Sequence, residues 1–291
     1  SIEQTTNLWL IGVFFKYAAN CRADNLYIKK AGRHPFHTYW SRNIELKNSE
    51  FDDVWDHGGG GAGYISWEAT WDSLMENVKT RNMRHAPSVQ WASSGNVIRK
   101  STFENSDAHW HAGWTNQNLF EQCVINSAQG SGSYGYGMWS SFPGDGGKGP
   151  NGPRNVVYNC TVTSPLGSVY LGGMTENWLI LYNVFDSGKG PGILLQNQCF
   201  DTIIRGNVFK IKNPNSPAVM IRDPDCTGTE VIDNVMIGGS ALWAGLIPPA
   251  VFGAANRKVP YGTPVEQVRP KVPVPSIYEW QMRKRGKTLR D

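Results

Sequence analysis

The hexapeptide Asn155-Val-Val-Tyr-Asn-Cys160 is one copy of a pattern that recurs along the chain. Most copies begin with a polar residue, continue with apolar residues that are often β-branched, and end at an amide or a small side chain. The other copies are Asn43-Ile-Glu-Leu-Lys-Asn48, Asp72-Ser-Leu-Met-Glu-Asn77, Asn96-Val-Ile-Arg-Lys-Ser101, Asn118-Leu-Phe-Glu-Gln-Cys123, Trp178-Leu-Ile-Leu-Tyr-Asn183, Thr202-Ile-Ile-Arg-Gly-Asn207 and Thr229-Glu-Val-Ile-Asp-Asn234. Their last residues follow one another at intervals of 22 to 37 positions, and four of the seven intervals are 22 to 24.

A repeat of this length, with β-branched residues and no helical periodicity, predicts a parallel β-solenoid in which each repeat forms one coil. Leucine-rich repeats are excluded because the chain lacks a fixed leucine lattice. An amide at one position of successive coils predicts a ladder of side chains about 4.8 Å apart that hydrogen-bond to one another. We therefore expect Asn77, Asn183 and Asn207 to point inward at equivalent turns.

In these repeats the chain resembles the right-handed parallel β-helix proteins of the pectate-lyase-like superfold, over roughly residues 43 to 240. The resemblance implies an all-β fold, a right-handed parallel β-helix of roughly eight to ten coils. It also implies a polysaccharide partner and an extracellular or periplasmic location, because lyases, hydrolases, epimerases and phage-type depolymerases share this scaffold. No catalytic motif of a named lyase family and no calcium-binding Asp cluster is present. A signal peptide would be missing, since Ser1 stands where an initiator Met is expected.

Two regions of different composition are predicted. Residues 1–246 form the β-helix, and residues 247–291 form an extended, basic, Pro-rich tail that holds seven of the 17 prolines. Ser276 and Glu279 have the spacing of a helix capping box, which predicts a short terminal helix. We expect the tail to lie along the solenoid and cover its open edge. The alternative is a docking arm for another subunit, through which the protein would self-associate, or for an anionic surface.

The distribution of charge excludes several classes of partner. From Arg257 onward the chain carries a basic excess of six, whereas the preceding 256 residues have a net charge of −2. The body therefore offers no electrostatic reason to bind nucleic acid. No apolar run approaches the ~20 residues of a membrane span.

All six histidines lie within the first 111 residues. Eight positions beyond the last residue of three successive repeats come Asp56, His85 and His109, so we expect these side chains in one column, about 5 Å apart. Further polar residues adjoin this column: His57, Arg84, Asp107 and His111. A divalent metal bound by Asp56, His85, His109 and His111 is an alternative use of the column; no other cofactor is expected.

Four tryptophans also recur with the repeat, namely Trp67, Trp91, Trp114 and Trp139. Their shared parity with small or apolar neighbours predicts an inward core column, and a row of sugar-stacking platforms is the alternative. The opposite parity then faces solvent, and it carries Tyr64, Glu68, Gln90, His109, His111 and Tyr136. Long insertions at residues 58–63 and 127–154 are expected to wall this surface and form a groove.

We hypothesise a polysaccharide lyase that acts by β-elimination. His109 or His111 would be the base, since neutral imidazole is available near pH 7. Arg84 would neutralise the substrate carboxylate and Tyr136 would be the acid, while His85 completes the catalytic column. Substrate-binding roles are assigned to Asp56, His57, Tyr64, Glu68, Gln90 and Asp107.

Two other functions remain open on the sequence. A glycoside hydrolase needs a pair of carboxylates about 5–10 Å apart, and Asp56, Glu68 and Asp107 are available, although no two of them share a column. The third function is non-catalytic, a glycan-binding or structural β-helix of an extracellular assembly.

The cysteines form two candidate pairs on neighbouring coils. Cys123 and Cys160 both end a repeat, and Cys199 and Cys226 each precede a repeat asparagine by eight residues. A disulfide tolerates the separation expected within each pair, and buried free thiols fit the pattern equally well.

Overall fold

A computed structural model describes residues 1–58, 61–111, 113–128, 135–142, 144 and 149–286. These residues form 31 strands and two short helices. The elements are β1 (Ile2–Glu3), β2 (Ile11–Lys16), β3 (Arg22–Asp24), β4 (Tyr27–Ala31), β5 (His34–Arg42), β6 (Glu45–Val54), β7 (Tyr64–Trp71), β8 (Leu74–Arg81), β9 (His85–Gln90), β10 (Val97–Arg99), β11 (Thr102–Glu104), β12 (Asp107–His111), β13 (Leu119–Glu121), β14 (Val124–Asn126), β15 (Met138–Ser140), β16 (Val156–Tyr158), β17 (Thr161–Ser164), β18 (Val169–Leu171), β19 (Thr175–Glu176), β20 (Leu179–Leu181), β21 (Val184–Ser187), β22 (Ile193–Leu195), β23 (Cys199–Phe200), β24 (Ile203–Arg205), β25 (Val208–Ile211), β26 (Val219–Ile221), β27 (Glu230–Ile232), β28 (Val235–Gly238), β29 (Trp243–Gly245), β30 (Val251–Phe252), β31 (Arg257–Val259), α1 (Val265–Val268) and α2 (Ile277–Lys284).

The strands wind into a right-handed parallel β-helix of about ten coils, as the repeat predicted. A ten-stranded sheet contains β2, β5, β7, β9, β12, β15, β18, β22, β26 and β29. A nineteen-stranded sheet takes two strands from most coils, and β19 and β23 form a small third sheet. Every described strand pairs in parallel with its equivalent one coil away, so side chains at the same position stack along the axis.

The core lies inside the coils and consists of such stacks. Ile98, Phe120, Val157, Ile180 and Ile204 follow one another in register and are fully buried. Because strand side chains alternate between the two faces, every second residue enters this interior. Burial of these continuous apolar columns is the main stabilising contribution to the fold.

Buried asparagines also stack, Asn96, Asn118 and Asn155 in one column and a second set in the upper coils, from residue 155 onward. The side-chain amide of Asn183 donates to Asn207 (3.0 Å), Asn207 donates to Asn234 (3.0 Å), and Asn234 donates to Asn256 (3.1 Å). Each side chain also accepts a backbone N–H from the coil below, as Asn207 does from Asn183 (2.9 Å). These bonds satisfy the polar groups that the turn would otherwise leave unpaired.

The inward position predicted for Asn77 is wrong. Asn77 is exposed and donates to Asn48 (2.8 Å) on the outside of the coil. Both residues hold the left-handed backbone of a corner, with φ of 54° and 47°, a conformation that asparagine tolerates. The buried slot in these two coils is the next residue, Ser49 or Val78. The repeat segments ending at 48 and 77 were therefore aligned one residue out of phase.

The β-helix ends later than the predicted boundary at residue 246. Strands β30 and β31 pair with β27 and β28 and form a last coil that reaches Val259. Asn256 also continues the asparagine stack in this coil. Prolines border these strands without disrupting them because the strands lie at the edge of the sheet.

The tail turns back and runs along the outer face of the nineteen-stranded sheet, rather than over the open edge of the solenoid. Arg269 donates to Asn159 (2.8 Å), and the hydroxyl of Ser276 donates to Glu121 (2.6 Å). Ser276 caps α2 by accepting the backbone N–H of Glu279 (3.0 Å), as the capping box predicted. In a complete capping box the Glu279 carboxylate would accept the backbone N–H of Ser276. Here that carboxylate binds Lys100 (2.9 Å) and Arg99.

Two further expectations are answered by the described residues. The five cysteines are free thiols, and Cys199 donates its backbone N–H to the sulfur of Cys226 (3.4 Å). Within the described ranges, neither helix has the length and hydrophobicity that crossing a bilayer requires.

Candidate functional site

A bulge in the ten-stranded sheet positions the candidate site. His85 pairs with Asp107, and Ser88 pairs with His109, so three steps along β9 match two steps along β12. The extra residue in β9 lets His85 face outward beside His109 although the two are not in register. Bulges of this kind re-aim side chains and are over-represented next to active sites.

A cavity of about 410 Å³ lies over the outer face of this sheet. Its wall is rich in histidine, arginine and aromatic side chains: Arg33, His34, Gly61, Tyr64, Glu68, Arg84, His85, Gln90, Trp91, His109, His111, Trp139 and Phe142. Two arginines and one glutamate are the charged residues among them, so the wall favours an anionic ligand.

His85 and Asp107 form a buried pair at the wall of the cavity. The Nδ1 atom of His85 lies 2.7 and 2.9 Å from the two carboxylate oxygens of Asp107. Trp139 donates its indole N–H to the same carboxylate (3.1 Å), which is fully buried. Burial raises the pKa of Asp107, and the neighbouring His85 opposes that rise. The carboxylate holds the proton of His85 on Nδ1 and leaves Nε2 as the basic nitrogen.

His109 lies at the centre of a stack of three histidines. Its ring centroid is 4.3 Å from that of His85 and 4.7 Å from that of His111. It also stacks on Trp139, with a centroid distance of 4.3 Å and an interplanar angle of 16°. Its nitrogens lie within hydrogen-bonding distance of two serine hydroxyls, Ser88 (3.4 Å) and Ser141 (3.0 Å). Because His109 is fully buried, its substitution would disturb packing as well as chemistry.

A chain of hydrogen bonds orients His111. Gln90 donates its amide N–H to Ser66 (3.0 Å) and approaches Glu68 (3.5 Å), so its carbonyl oxygen accepts from Nδ1 of His111 (2.8 Å). Glu68 in turn lies 3.2 Å from Nε2 of His37. The network links the half-exposed His111 to a carboxylate through one amide.

Tyr64 connects the histidines to the arginine side of the cavity. Its ring centroid is 4.9 Å from His85, and its hydroxyl accepts a long hydrogen bond from Arg84 (3.4 Å). Arg84 also donates to the carbonyl of Gly58 (2.6 Å), which fixes the guanidinium at the rim. The backbone N–H of Tyr64 donates to Nδ1 of His34 (3.2 Å), and burial lowers the pKa of His34 to about 2.

One known protein family accounts for most of the coils. Residues 63–234 match the family model described as "Right handed beta helix region", which is more than half of the chain. The chain belongs to the right-handed β-helix family. No curated protein matches the sequence significantly.

Several solved structures share the fold. A tailspike protein of E. coli bacteriophage HK620, solved with a pentasaccharide, is 12% identical over 83% of this chain and 48% of the tailspike chain, with a TM-score of 0.62. An alginate lyase from Paenibacillus sp. strain FPU-7 is 13% identical over 84% and 96% of the two chains, with a TM-score of 0.59. A periplasmic alginate epimerase is 12% identical over 85% and 71%, with a TM-score of 0.56.

These similarities show the fold alone. This chain spans about half the length of the tailspike and nearly all of the alginate lyase. The three neighbours are named for acting on or binding carbohydrate, and the site of this chain must be judged from its own residues.

The predicted column of Asp56, His85 and His109 is wrong. His85 stacks in register with Tyr64 and Asp107, whereas His109 stacks with Ser88 and Trp139. The causes are the one-residue phase error at Asn77, one extra residue in the turn that precedes His85, and the bulge at His85. The structure nevertheless brings His85 and His109 into contact.

Of the other predicted site residues, three lie outside the cavity. Asp56 accepts the backbone N–H of Gly58 (2.6 Å) in its own loop, and His57 is exposed and pairs with Asp53 (3.1 Å). Tyr136 packs on Tyr170, with centroids 5.1 Å apart, and burial raises its pKa. Tyr64, Arg84, Glu68, Gln90 and His111 line the cavity, and Asp107 lies behind His85.

The predicted core column of tryptophans is also wrong for three of its members. Trp67 is fully buried, but Trp91 and Trp114 are 43% and 52% exposed, and Trp139 lines the cavity. Trp91 and Trp114 lie beyond the ends of their strands, at left-handed corner positions. The interior column in register with Trp67 continues through Val89 and Trp110.

Some cavity residues were missed from the sequence. Arg33 and His34 precede the first recognised repeat, so no periodic position pointed to them. Arg33 donates to the carbonyl of Gly61 (3.0 Å). Gly61 and Phe142 come from the two insertions expected to wall the groove; residues 59–60, 129–134, 143 and 145–148 of those insertions lie outside the described residues. No group of three or more His, Cys, Asp or Glu in the described ranges is arranged to hold a metal.

Proposed function

We propose that the protein is a lyase that cleaves an acidic polysaccharide by β-elimination in this cavity. The observation that carries the proposal is the His85–Asp107 pair at a cavity wall that also holds two arginines. β-Elimination beside a uronate carboxylate needs a base, a cation to stabilise the enolate, and an acid for the leaving oxygen. The cavity offers at least one residue of the right chemistry for each task.

His85 is the base in this mechanism. Asp107 binds Nδ1 and stabilises the imidazolium that forms when Nε2 takes a proton. Among the described residues, Nε2 of His85 has no hydrogen-bond partner, so it is available to a substrate. The sequence favours His109 or His111 as the base. We assign His85 because His109 contacts serine hydroxyls through both nitrogens, and Nδ1 of His111 binds an amide oxygen rather than a carboxylate.

Arg84 and Arg33 neutralise the carboxylate of the substrate. Removal of the proton beside that carboxylate moves charge onto its oxygens, where a guanidinium binds more strongly. Arg84 is held at the rim by Gly58, and Arg33 by Gly61, so neither needs to reorganise when the charge develops.

Tyr64 completes the reaction as the acid. The C–H electron pair forms a double bond to the neighbouring carbon, the glycosidic C–O bond breaks, and the leaving oxygen takes the phenolic proton of Tyr64. Arg84 donates to the Tyr64 oxygen and stabilises the resulting phenolate. The products are a new chain end and an unsaturated sugar.

Hydrolysis by two carboxylates is less well supported. Among the described residues that line the cavity, Glu68 is the one carboxylate, and Asp107 is occupied by His85 and Trp139. Epimerisation shares the first step, proton removal beside a carboxylate, and differs in that a proton then returns to the same carbon. The solved structures of an alginate lyase and an alginate epimerase on the same scaffold support this chemistry and an extracellular or periplasmic location.

The test is a panel of alginate, polygalacturonate and hyaluronan, with neutral dextran as the control. Ultraviolet absorbance of unsaturated ends and reducing ends should rise together on at least one acidic polymer and not on dextran. His85→Asn should abolish both signals, whereas the matched variant His57→Asn, at an exposed histidine outside the cavity, should keep full activity.

Three outcomes would contradict the proposal. Reducing ends without unsaturated product would indicate a hydrolase. Exchange of a substrate proton with deuterated solvent, without chain cleavage, would indicate an epimerase. Full activity in His85→Asn would remove the assigned base.

A further inference from the structure

A row of exposed and half-buried aromatic side chains borders the cavity. The row consists of Tyr17, Tyr39, Trp40, Trp71 and Trp91, which lie in the last four residues of the neighbouring strands β5 and β7 or just beyond the ends of β2 and β9. Tyr17, Trp40 and Trp91 are 71%, 54% and 43% exposed. Aromatic side chains with this much exposure gain little from burial, so the row does not stabilise the core.

The backbone of the row is unfavourable for aromatic residues. Tyr17, Trp40, Ala69 and Trp91 occupy equivalent corner positions, because the residues that precede them are paired in register. All four have a left-handed backbone, with φ between 44° and 53°. The adjoining Ala92 is also left-handed, with φ of 58°. This conformation is costly for bulky side chains and suits glycine or asparagine.

The other left-handed corners carry mostly asparagine, aspartate and glycine, the residues that this conformation favours. One corner contains, in successive coils, Asn20, Asn43, Asp72, Gly95, Gln117, Arg154, Asn177, Asp201 and Gly228. Another begins with Asn25, Asn48 and Asn77 and continues through Lys100, Gln122, Asn159, Tyr182, Gly206 and Asp233. Only the corner beside the cavity, among those described, has aromatic residues in repeated coils, which points to a function for the rings rather than to turn formation.

Four of the rings contact one another in sequence, and a hydrogen bond to the backbone connects the last of them to the residue after Trp91. Tyr17 and Tyr39 have centroids 6.1 Å apart, Tyr39 and Trp40 6.4 Å, and Trp40 and Trp71 5.8 Å. Trp71 donates its indole N–H to the carbonyl of Ala92, the residue after Trp91 (2.9 Å). Trp91 itself lines the cavity.

We infer that this aromatic row is an extended binding platform on which a polysaccharide chain lies along the solenoid axis, from the cavity toward the first coil. The inference rests on the proposed function for the identity of the cavity. Sugar rings have an apolar C–H face that packs on aromatic rings while their hydroxyls stay hydrated. Coils about 4.8 Å apart present a ring at nearly every step of such a chain.

The far end of the row also favours an acidic chain. The ammonium of Lys16 lies 5.2 Å from the ring centroid of Tyr17 and 5.9 Å from that of Tyr39. A carboxylate carried on a sugar stacked here would be within reach of this cation. The platform therefore predicts that the protein binds internal segments of long polysaccharide chains. Its affinity for polymer should be higher than its affinity for short oligosaccharides.

The test compares polymer with oligosaccharide in Trp40→Ala. With polymeric alginate or polygalacturonate as the probe, whichever the wild type binds, Trp40→Ala should weaken affinity by about tenfold in calorimetry. Affinity for the corresponding trisaccharide, which fits the cavity, should stay within about twofold of wild type. Trp40→Phe keeps an aromatic face and should restore most of the polymer affinity.

Phe200→Ala is the matched control. Phe200 is 37% exposed and lies on the same side of the solenoid as Trp71, five coils away in the other direction. Polymer affinity should be unchanged in this variant. Equal losses in Trp40→Ala and Phe200→Ala, equal losses for polymer and trisaccharide, or no polymer binding at all would overturn the inference.

Calorimetry in the His85→Asn background separates this inference from the proposed function. Binding that depends on Trp40, in a protein that cleaves nothing even with His85 present, supports the platform and rejects the lyase. Cleavage that depends on His85 but not on Trp40 supports the lyase and rejects the platform. Thermal melting of Trp40→Ala and Phe200→Ala should stay at the midpoint of the protein into which they are introduced, because these two rings are exposed.

Discussion

The lower and upper coils share one scaffold and use it differently. In the upper coils, from residue 155 onward, the outward positions of the ten-stranded sheet hold Tyr170, Leu194 and Met220, and the stack of Asn183, Asn207, Asn234 and Asn256 runs through the interior. In the lower coils the equivalent positions hold His37, Ser66, Ser88 and His109, and the sheet contains a bulge.

The difference shows where the fold accommodates chemistry. A uniform stack satisfies every polar group with an identical neighbour, so it stabilises the coil but leaves little available to a ligand. The lower coils break the uniformity with charged pairs, buried histidines and left-handed tryptophans. Local departures from regularity of this kind are expected at functional sites and are supported by regular structure elsewhere.

The largest effect on the catalytic rate is expected for Asp107→Asn, in the lower coils. Asparagine keeps the shape of the side chain, but it cannot stabilise an imidazolium at His85 or fix its tautomer as a carboxylate does. Formation of unsaturated product should fall by about 10³–10⁴-fold. The control is Asp53→Asn, at a corner carboxylate that pairs with Lys30 (2.7 Å) away from the cavity, and it should keep wild-type rates. A loss of less than tenfold in Asp107→Asn would mean that His85 is not the base.

Asn207→Ala should have the largest effect on stability, in the upper coils. The side chain donates to Ile180 (2.8 Å) and Asn234 (3.0 Å) and accepts from Asn183 (2.9 Å), all of them buried. Its loss leaves these partners unsatisfied and should cost about 2–4 kcal/mol in guanidinium unfolding. Catalytic rate per folded molecule should not change.

Asn77→Ala is the comparison for this variant. Asn77 is exposed and makes one hydrogen bond, to Asn48, so its removal should cost about 1 kcal/mol, largely from the left-handed backbone. Equal destabilisation of the two variants would mean that the buried stack contributes no more than an exposed amide pair.

The sequence predicted the coils well because a stack repeats its chemistry. Asn183 and Asn207 recur with one spacing, and the structure places both in the buried slot. The phase was lost at Asn77, because an asparagine that caps a left-handed corner and one that fills the core look the same in a sequence. The predicted core column of tryptophans failed for a similar reason. Sequence spacing does not distinguish Trp67, which lies inside a strand, from Trp91, which lies just beyond one.

The site could be predicted only in part. His85, His109 and His111 were selected by their clustering and do lie together. The His85–Asp107 pair depends on a bulge, which shifts the register by one residue and leaves no repeat signal. His34 and Trp139 reach the cavity through tertiary contacts between coils, which periodicity alone does not encode.

His34 makes the lower coils sensitive to pH. Its pKa is lowered to about 2 by burial and by His37 and Arg33, and Nδ1 accepts from the backbone of Tyr64 (3.2 Å). Between that value and its ordinary pKa of 6.5, the unfolded chain binds a proton that the folded chain does not, so stability falls as pH falls below 6.5. From pH 6.5 to 5 this group alone should cost about 2 kcal/mol.

Unfolding of wild type and His34→Asn over this pH range is the measurement. Asparagine can accept the Tyr64 N–H but does not titrate, so the variant should lose about 2 kcal/mol less than wild type between pH 6.5 and 5. Identical pH dependence in the two proteins would show that His34 is protonated in the folded state.

The smallest effect is expected where the tail crosses the outer face of the larger sheet. Ser276 caps α2 and donates to the buried carboxylate of Glu121, so Ser276→Ala should cost about 1 kcal/mol of local stability. Loss of the Ser276 hydroxyl should detach α2 from the sheet. Turnover should not change, because the cavity lies on the other large sheet. Trypsin should then cut faster at Arg283 and Lys284 in the last turn of α2, whereas Thr263→Ala, which removes one exposed turn hydrogen bond, should be cut at the wild-type rate. A fall in global unfolding free energy that matches the local loss would show instead that the tail folds as one unit with the coils it covers.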